Sequence, residues 1–550
     1  MPAEWPHALD AAPAEAPAGM VASDAPLATQ VGVDILRAGG NAVDAAVATA
    51  FALAVVYPEA GNIGGGGFMV LRTADGETAA LDFRETAPGA STRDMFLDAN
   101  GELTDRSITG HLASGVPGTV AGLWEAHRRY GSLPWKAVIE PAIRLAADGF
   151  TVDEAFAGSV RGEAERLRRF PASAALFLPG GKPLRAGTHW RNPDLAAVLR
   201  RIAERGPAGF YEGETADLIV AEMRRGGGII THEDLARYRA VWREPVEVEY
   251  RGYRIISMPP PSSGGLTLAL IANILEGYDL RALGWHSPEA LHLTAEAMRR
   301  AFADRNHFLG DPDFVDIPRE RFLSEDYARR LRAGIDRDRA TPSSSIVPGR
   351  TVTIGAEGDH TTHFSVVDGA GNAVALTTTI NSLYGSAVTV AGAGFVLNNE
   401  MDDFAAKPGA PNQFGLVQGE ANAIEPGKRM LSAMTPTIVL SRDGEPLLVT
   451  GARGGPRIIT ATFQVISNVV DYGMDVAAAV AAPRIHHQHL PDILYYERGG
   501  LRPQEIRALE AIGHEVRPRA GVANAPAILR RGGRWFGVPD PREGGLAAGH

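Results

Sequence analysis

Two threonines are the first residues whose types and spacing suggest chemistry. Residues 361–368 (TTHFSVVD) and 372–380 (NAVALTTTI) have strand-forming composition, and the three residues Gly-Ala-Gly between them predict a β-hairpin. Counting outward from this loop places Thr361 directly opposite Thr379. Opposite side chains in antiparallel strands lie about 5 Å apart at Cβ, so we expect the two hydroxyls to touch. A threonine hydroxyl becomes a nucleophile when a base lies within hydrogen-bonding reach.

The same pattern also has a purely structural interpretation. Threonine is common in strands, and cross-strand threonine pairs stabilise many sheets without taking part in any reaction. Taken alone, the pattern therefore does not distinguish a catalytic pair from a structural one.

The segments around the hairpin predict a mixed α/β chain. Residues 27–38 and 287–302 have the periodicity of amphipathic helices, and 41–57 is an apolar helix that is too short to span a bilayer. The glycine-rich segment 61–71 leads into a strand. Residues 336–360 are rich in Pro, Ser and Gly, which predicts an exposed linker immediately before the hairpin.

Composition excludes several classes of function. The 550 residues include 54 Lys and Arg against 65 Asp and Glu, and this net charge of −11 argues against a nucleic-acid partner. The chain has no cysteine, which rules out thiol catalysis, disulfides and thiolate metal sites. Residues 1–20 lack the basic flank and apolar run of a secretory signal. We therefore expect a cytoplasmic protein without a membrane partner, or a periplasmic or secreted one if an export signal has been removed.

From residue 21 to the C-terminus, the chain resembles the γ-glutamyltranspeptidases (glutathione hydrolases), which are N-terminal-nucleophile hydrolases. The resemblance is carried by separate motifs: GNAVDAAVAT, GNIGGGGFM, LDFRETAP, PPPSSGG, TTHFSVVD, LNNEMDDF and TGARGGPRI. It implies an α+β fold, a four-layer αββα sandwich built from both fragments of a precursor that cleaves itself.

The resemblance places the cleaved bond between His360 and Thr361. The chain then consists of an N-terminal extension (1–20), a large fragment (21–360) ending in the linker, and a small fragment (361–550). Cleavage frees the α-amine of Thr361, which titrates near 7.7–8.0 in model peptides and can serve as the catalytic base. The resemblance gives Thr379 the role of orienting the nucleophile, and this chemistry needs neither a metal nor an organic cofactor.

A γ-glutamyl group carries an α-carboxylate and an α-ammonium on one carbon. By resemblance, Arg84 binds the carboxylate, and Asn381, Glu400 and Asp403 hold the ammonium. Because glutaryl groups have no ammonium, the two acidic residues favour γ-glutamyl substrates. Without the resemblance, Arg84 reads as a surface residue paired with Glu85, and the acidic residues as a solvated loop.

The glycine pair in GARGGPRI is expected to form the oxyanion hole. Backbone N–H groups of Gly454 and Gly455 can approach a developing negative charge closely because glycine has no side chain. A phosphate-binding loop is the competing interpretation, but the spacing G-x-x-x-x-G-K-[ST] is missing from this segment.

The histidine-rich segment IHHQHL suggests a metal site, because histidine is the commonest transition-metal ligand. Adjacent side chains of a strand point to opposite faces, however. We therefore expect a structural role for His486, His487 and His489.

The sequence departs from the family pattern at several positions. The motif LSSMSP reads LSAMTP here, which keeps Ser432 but places Ala433 where a second serine binds the substrate carboxylate. We expect weaker substrate binding unless Thr435 or water compensates. Phe414, in a lid segment at 407–429, replaces a tyrosine of some members, which favours hydrolysis over transfer. Arg453 stands where many members have proline, with an expected but undefined effect on acceptor preference.

The expected function is thus a self-processing γ-glutamyl hydrolase and transpeptidase acting on glutathione or related amides. Thr361 would form a γ-glutamyl ester that water or an amino-acid or peptide acceptor resolves, and the two fragments would associate as a heterodimer. One alternative is an amidase of the same fold for another acyl group, of the glutaryl-cephalosporin or poly-γ-glutamate type. The other is an uncleaved, non-catalytic relative.

Overall fold

Two antiparallel sheets of seven strands form the centre of the molecule. The computed structural model describes residues 2, 4–7, 12–346, 361–413 and 415–550. The two sheets pack face to face, and helices cover the outer face of each. This is the predicted four-layer αββα sandwich, which is confirmed.

The strands are listed here in chain order: β1 (Ala14–Ala16), β2 (Met20–Ser23), β3 (Gly66–Arg72), β4 (Thr78–Asp82), β5 (Phe150–Thr151), β6 (His189–Trp190), β7 (Val241–Arg243), β8 (Val246–Tyr250), β9 (Tyr253–Ser257), β10 (Thr361–Val367), β11 (Ala373–Thr379), β12 (Thr437–Leu440), β13 (Pro446–Thr450), β14 (Ile485–His486), β15 (Leu494–Glu497), β16 (Val516–Arg519), β17 (Ala527–Arg531), β18 (Arg534–Val538) and β19 (Leu546–Gly549). The first large sheet, called the hairpin sheet below, has the order β19-β2-β10-β11-β3-β4-β7. The second, the partner sheet, has the order β1-β18-β17-β13-β12-β9-β8.

The helices follow in the same way: α1 (Pro26–Arg37), α2 (Ala42–Val56), α3 (Thr119–Tyr130), α4 (Trp135–Asp148), α5 (Glu154–Arg168), α6 (Pro171–Phe177), α7 (Pro193–Arg205), α8 (Ala208–Tyr211), α9 (Gly213–Gly226), α10 (His232–Arg237), α11 (Gly264–Leu275), α12 (Leu280–Leu283), α13 (Pro288–Phe308), α14 (Arg319–Leu323), α15 (Glu325–Ala333), α16 (Arg457–Val470), α17 (Val476–Ala481) and α18 (Pro503–Ala511). Helices α1 and α2 lie over the hairpin sheet, and α11 and α16 lie over the partner sheet. In the described part of the chain, no helix is both long enough and apolar enough to span a membrane.

The predicted buried helix is α2. Asn41 caps it by accepting hydrogen bonds from the N–H groups of Val43 and Asp44. The side chain of Asp44 in turn accepts a hydrogen bond from the Asn41 N–H. Every residue of α2 is buried, which explains why its sequence is apolar on all sides.

Both sheets mix strands from either side of residue 360. The hairpin sheet combines β10, β11 and β19 with strands of the N-terminal part. The partner sheet likewise combines β12, β13, β17 and β18 with strands of that part. Each of the two large sheets would therefore hold the two parts together if the chain were cut at this point, since neither part contains all the strands of either one.

The predicted linker is only partly as expected. Residues 336–339 are exposed, but Ala340 and Ser343 are buried, so the prediction of an exposed segment is wrong there. The Ala340 N–H donates to the Ile512 carbonyl at 2.7 Å, and the Ser343 N–H donates to Asp492 Oδ2 at 2.7 Å. Residues 347–360 of the linker, including His360, lie outside the described residues.

Candidate active site

The predicted β-hairpin is formed by β10 and β11. Thr361 pairs with Thr379, as the loop length predicts, and their Oγ1 atoms are 3.4 Å apart. Both side chains are buried. The N–H of Asn381 donates to Thr379 Oγ1 at 2.8 Å, which holds the Thr379 hydroxyl toward its neighbour. The two hydroxyls thus have the geometry of a nucleophile and an orienting group.

The glycine-rich segment before β3 fixes the position of β11. Asn62 Nδ2 donates to the Thr379 carbonyl at 2.9 Å and to Thr378 Oγ1 at 3.1 Å. A Cβ atom on Gly65 would lie 2.2 Å from the same Thr379 carbonyl oxygen. Any side chain at position 65 would therefore push β11 away. Asn62 is not among the residues that the sequence predicts for the site, although it belongs to the motif GNIGGGGFM.

Arg84, just after β4, is the centre of a buried group of charges. We call Arg84, Glu85, Glu400 and Asp403 the acidic cluster. Arg84 Nη1 donates to Glu400 Oε2 at 2.6 Å, and Nη2 pairs with Asp403. The Arg84 side chain is 1% exposed, so the alternative of a surface arginine is wrong. In this structure, the expected carboxylate-binding and ammonium-binding groups bind each other.

Carboxyl groups outnumber guanidinium groups within the acidic cluster, with three of the former and one of the latter. Among the described residues, neither oxygen of Glu85 has a hydrogen-bonding partner, and neither does Glu400 Oε1. Burial raises the pKa of Glu85 to about 8, although the nearby Arg84 guanidinium lowers it. Burial likewise raises the pKa of Glu400 and of Asp403, against the opposing effect of Arg84. Buried carboxyl groups with raised pKa values are typical of functional sites.

Arg305, on α13, is a second buried cation beside this cluster. Its Nε donates to Ser263 Oγ at 3.1 Å, and burial lowers its pKa to about 10, against the attraction of Asp403. Sequence inspection does not find Arg305, because its helix reads as an ordinary amphipathic core helix.

The altered motif LSAMTP also borders the site. Ser432 Oγ accepts a hydrogen bond from the Met434 N–H at 3.1 Å, which leaves its hydroxyl proton free to donate. Thr435 Oγ1 donates to the Ala433 carbonyl at 2.8 Å, so its hydroxyl does not replace the missing serine. The position of Ala433 therefore lacks a side-chain donor.

The glycine pair forms the turn that precedes α16. Gly454 has φ +140° and Gly455 has φ +55°, a region that favours glycine. Among the described residues, neither N–H donates a backbone hydrogen bond. Because α16 begins at Arg457, its N-terminal end adds partial positive charge at this turn. These are the requirements of an oxyanion hole.

One cavity gathers nearly all the predicted residues. Gly454 is not among its described lining residues, and Phe414 lies outside the described part of the chain. The lining residues predicted from sequence are Arg84, Thr361, Thr379, Asn381, Glu400, Asp403, Ser432 and Gly455. Arg305, Gln418 and Ala433 also line the cavity. The paired threonines, the charged groups and the glycine turn thus face the same space.

The histidines of IHHQHL are buried away from that cavity. Each has a protein partner: His486 Nδ1 with Thr460 Oγ1 at 2.9 Å, His487 Nε2 with Asp492 Oδ1 at 3.3 Å, and His489 Nε2 with the Ser343 carbonyl at 3.0 Å. These contacts support the structural role that we expect for them.

Another group, His292, Glu296 and His514, has atoms close enough to share a metal ion. His292 Nε2 donates to the Asp336 carbonyl at 2.7 Å, so its Nδ1 accepts from His514 Nε2 at 2.8 Å. Arg299 Nη2 then donates to His514 Nδ1 at 3.3 Å. Every ring nitrogen is used in this chain of hydrogen bonds, and the adjacent guanidinium opposes a metal cation. The arrangement fits a structural network better than a metal centre.

Comparison with known proteins agrees with the geometry. The family model described as gamma-glutamyltranspeptidase matches residues 28–550. The glutathione hydrolase proenzyme of Escherichia coli strain K12 is 49% identical over 533 residues, covering 96% of this chain and 91% of that protein.

Two solved structures are similar. A cephalosporin acylase from Bacillus halodurans has a TM-score of 0.88 at 30% identity and covers 100% of this chain and 99% of that chain. The γ-glutamyltranspeptidase of Helicobacter pylori has a TM-score of 0.58 at 47% identity, over 59% of this chain and 93% of that chain. With a family match over nearly its whole length and these relatives, the chain belongs to the γ-glutamyltranspeptidase family.

Proposed function

We propose that this protein is a γ-glutamyl hydrolase and transpeptidase that activates itself by cutting the bond before Thr361. The observation that carries this proposal is the cavity in which the paired hydroxyls of Thr361 and Thr379 meet the acidic cluster. Family membership supports the same reaction.

The activation step follows from the chemistry of threonine. Thr361 Oγ1 attacks the His360 carbonyl, the C–N bond breaks as the nitrogen takes a proton, and an ester forms. Water then hydrolyses the ester, which leaves a carboxylate on His360 and a free amine and hydroxyl on Thr361. The amine, with a pKa in the range usual for chain termini, accepts the hydroxyl proton in later turnovers. The two fragments remain associated because both sheets contain strands of each.

In turnover, Thr361 Oγ1 attacks the γ-carbonyl of glutathione or a related amide. The oxyanion accepts hydrogen bonds from the Gly454 and Gly455 N–H groups, and the amine of the leaving peptide departs with a proton. Water, or the amine of an amino acid or peptide, then attacks the γ-glutamyl ester and regenerates the Thr361 hydroxyl.

The acidic cluster selects the acyl group. The α-carboxylate of the substrate pairs with Arg84, as a guanidinium suits a planar carboxylate. The α-ammonium takes the place of Arg84 as the partner of Glu400 and Asp403, so that both charges of the head group are paired. Asn381 and Ser432 supply further polar contacts to the same amino-acid head group.

An acylase of the cephalosporin type is the second candidate, because the Bacillus halodurans structure shares the fold over the whole chain. A glutaryl group has no ammonium, so it would not supply a cation to the buried carboxylates. The buried excess of carboxylates therefore favours the γ-glutamyl group.

The first experiment is an intact-mass measurement under denaturing conditions. We expect two fragments, the smaller beginning at Thr361, and a single full-length chain for Thr361→Ala. A single full-length mass for the wild type would contradict self-processing. The cleaved enzyme is then given glutathione and its analogue that lacks the α-amino group. Preference for the analogue would favour the acylase.

A further inference from the structure

Asp24 lies beside the active site without lining its cavity. It follows β2, and its side chain is 4% exposed. Thr362 Oγ1 donates to Asp24 Oδ2 at 2.8 Å, and Asn524 Nδ2 donates to Oδ1 at 2.6 Å. Because Thr362 follows Thr361 directly, this carboxylate holds the residue next to the nucleophile.

The same carboxylate is also connected to the glycine turn. Arg453, which precedes Gly454, places its Nε 3.8 Å from Asp24 Oδ2. Arg453 and Asn524 exchange two backbone hydrogen bonds, of 2.8 and 3.0 Å. Asp24 therefore contacts the beginning of the turn both directly, through the guanidinium, and through the Asn524 side chain.

The start of β10 needs such a contact. β10 pairs with β11 along its whole length, but its ladder with β2 covers only the three residues Ser365–Val367. After cleavage, Thr361 is a chain end, and chain ends tend to fray unless they are tied down. On the side of β2, the hydrogen bond from Thr362 to Asp24 holds the first residues of β10, which the backbone ladder between the two strands does not reach.

We propose that Asp24 is a positioning residue, whose negatively charged carboxylate fixes the distance between the Thr361 hydroxyl and the oxyanion-binding glycine turn. This inference rests on the proposed function, because it assumes the Thr361 nucleophile. It assigns roles to Asp24, Arg453 and Asn524 that the motifs of the family do not give.

The charge of Asp24 matters because the side chains that hydrogen-bond to its oxygens are donors. Thr362 and Asn524 present hydrogens to it, and Arg453 is a cation. Burial, with a smaller contribution from the neighbouring Asp540, raises the pKa of Asp24 to about 6, against the effect of Arg453 and the two hydrogen bonds. Below about pH 6, the carboxyl group would carry a proton for which none of its hydrogen-bonding partners is an acceptor. The other titratable groups near Arg453 are Tyr57, Glu59 and Glu543.

The test compares Asp24→Asn with the wild type, both as fully cleaved enzymes verified by intact mass. We expect kcat for glutathione to fall roughly ten- to a hundredfold, because a misplacement of about 1 Å has effects of that size. KM should stay within about twofold, since Asp24 does not contact the substrate pocket. Asp471→Asn is the matched control, because Asp471 is also buried, accepts from the hydroxyls of Tyr250 and Ser467, and pairs with Arg251.

A pH profile separates positioning from a loss of folding. In the wild type, log kcat should fall with a slope of about one below the pKa of the Thr361 amine and steepen below about pH 6. In Asp24→Asn, the steepening should disappear. A merely structural role would lower kcat without changing the shape of the profile.

If Asp24→Asn fails to fold, a second variant still tests the proposal. Arg453→Met retains both hydrogen bonds to Asp24 and should lower kcat less, with Arg453→Lys restoring part of the loss. Unchanged kcat in Asp24→Asn, an equal loss in Asp471→Asn, or a rise in KM alone would overturn the proposal. Failure of the proposed function is distinguishable, because the wild type itself would then be uncleaved or inactive with glutathione.

Discussion

Two of the buried groups of charges in the molecule differ in their balance of arginines and carboxyl groups. The first is the acidic cluster around Arg84. The second, called the C-terminal cluster, consists of Arg484, Glu497, Asp540 and Arg542. There, Arg542 binds both oxygens of Glu497, at 2.6 and 2.7 Å, and also Asp540 at 3.0 Å. Arg484 binds Asp540 at 2.9 Å.

The C-terminal cluster has two arginines for two carboxylates, and backbone N–H groups bind the carboxylates as well. Although burial alone would raise it, the pKa of Asp540 is lowered to about 2 by Arg542, Arg484 and these hydrogen bonds. In the acidic cluster, the pKa of Glu85 shifts upward instead. A buried network with equal numbers of arginines and carboxylates fits a structural role, whereas an unbalanced one costs stability and fits a site that binds a charged ligand.

The largest effect is expected from Asp403→Asn. Removing one partner of a buried charge pair costs about 2–5 kcal/mol, so kcat/KM for glutathione should fall roughly a hundredfold or more. The matched measurement uses the substrate analogue without the α-amino group, whose kcat/KM should change far less. An equal loss with both substrates would mean that Asp403 acts on the reacting bond rather than on the ammonium.

Arg542→Met tests the other side of the comparison. It leaves Glu497 and Asp540 buried without their main cation, which costs about 3–5 kcal/mol of stability. We expect a lower midpoint of thermal unfolding, with kcat/KM per cleaved molecule nearly unchanged. Arg517→Met is the control, because Arg517 is 57% exposed and exposed pairs contribute little. If Arg542→Met lost activity without losing stability, the contrast between the clusters would fail.

Glu85→Gln should change how stability depends on pH. A carboxyl whose pKa is raised in the folded state favours folding at low pH, and this advantage is lost as pH rises toward about 8. The free energy of unfolding of the wild type should therefore fall between about pH 5 and pH 8, by at most about 1.4 kcal/mol per pH unit for this group. Glu85→Gln should flatten that decline. The same slope in both proteins would show that Glu85 is ionised throughout.

Local features of the hairpin could be predicted from the sequence. The side-chain period of a strand and the length of the loop determine the register, so the pairing of Thr361 with Thr379 follows from counting. The capped helix α2 is predictable for the same reason, since its signals lie within a few residues of one another.

Long-range burial could not be predicted in this way. Arg84 and Glu400 are 316 positions apart, and nothing near Glu85 in the sequence shows that its carboxylate is enclosed with no hydrogen-bond donor among the described residues. Ser343 reads as part of a polar linker, yet its hydroxyl accepts from Arg299 Nη1 at 2.8 Å. Such contacts depend on how the layers pack, which local composition does not encode.

Ala433→Ser should have the smallest effect and the opposite sign. It adds a donor to the cavity that holds the acidic cluster, at a position where Thr435 does not compensate because its hydroxyl donates to the Ala433 carbonyl. A hydrogen bond to a charged group contributes about 1.5–3 kcal/mol, so KM for glutathione should fall by roughly tenfold. Ala433→Val adds bulk without a donor and should raise KM. If Ala433→Ser left KM unchanged or raised it, the substrate carboxylate would not lie beside this position, and Arg84 would have to hold it without a donor at position 433.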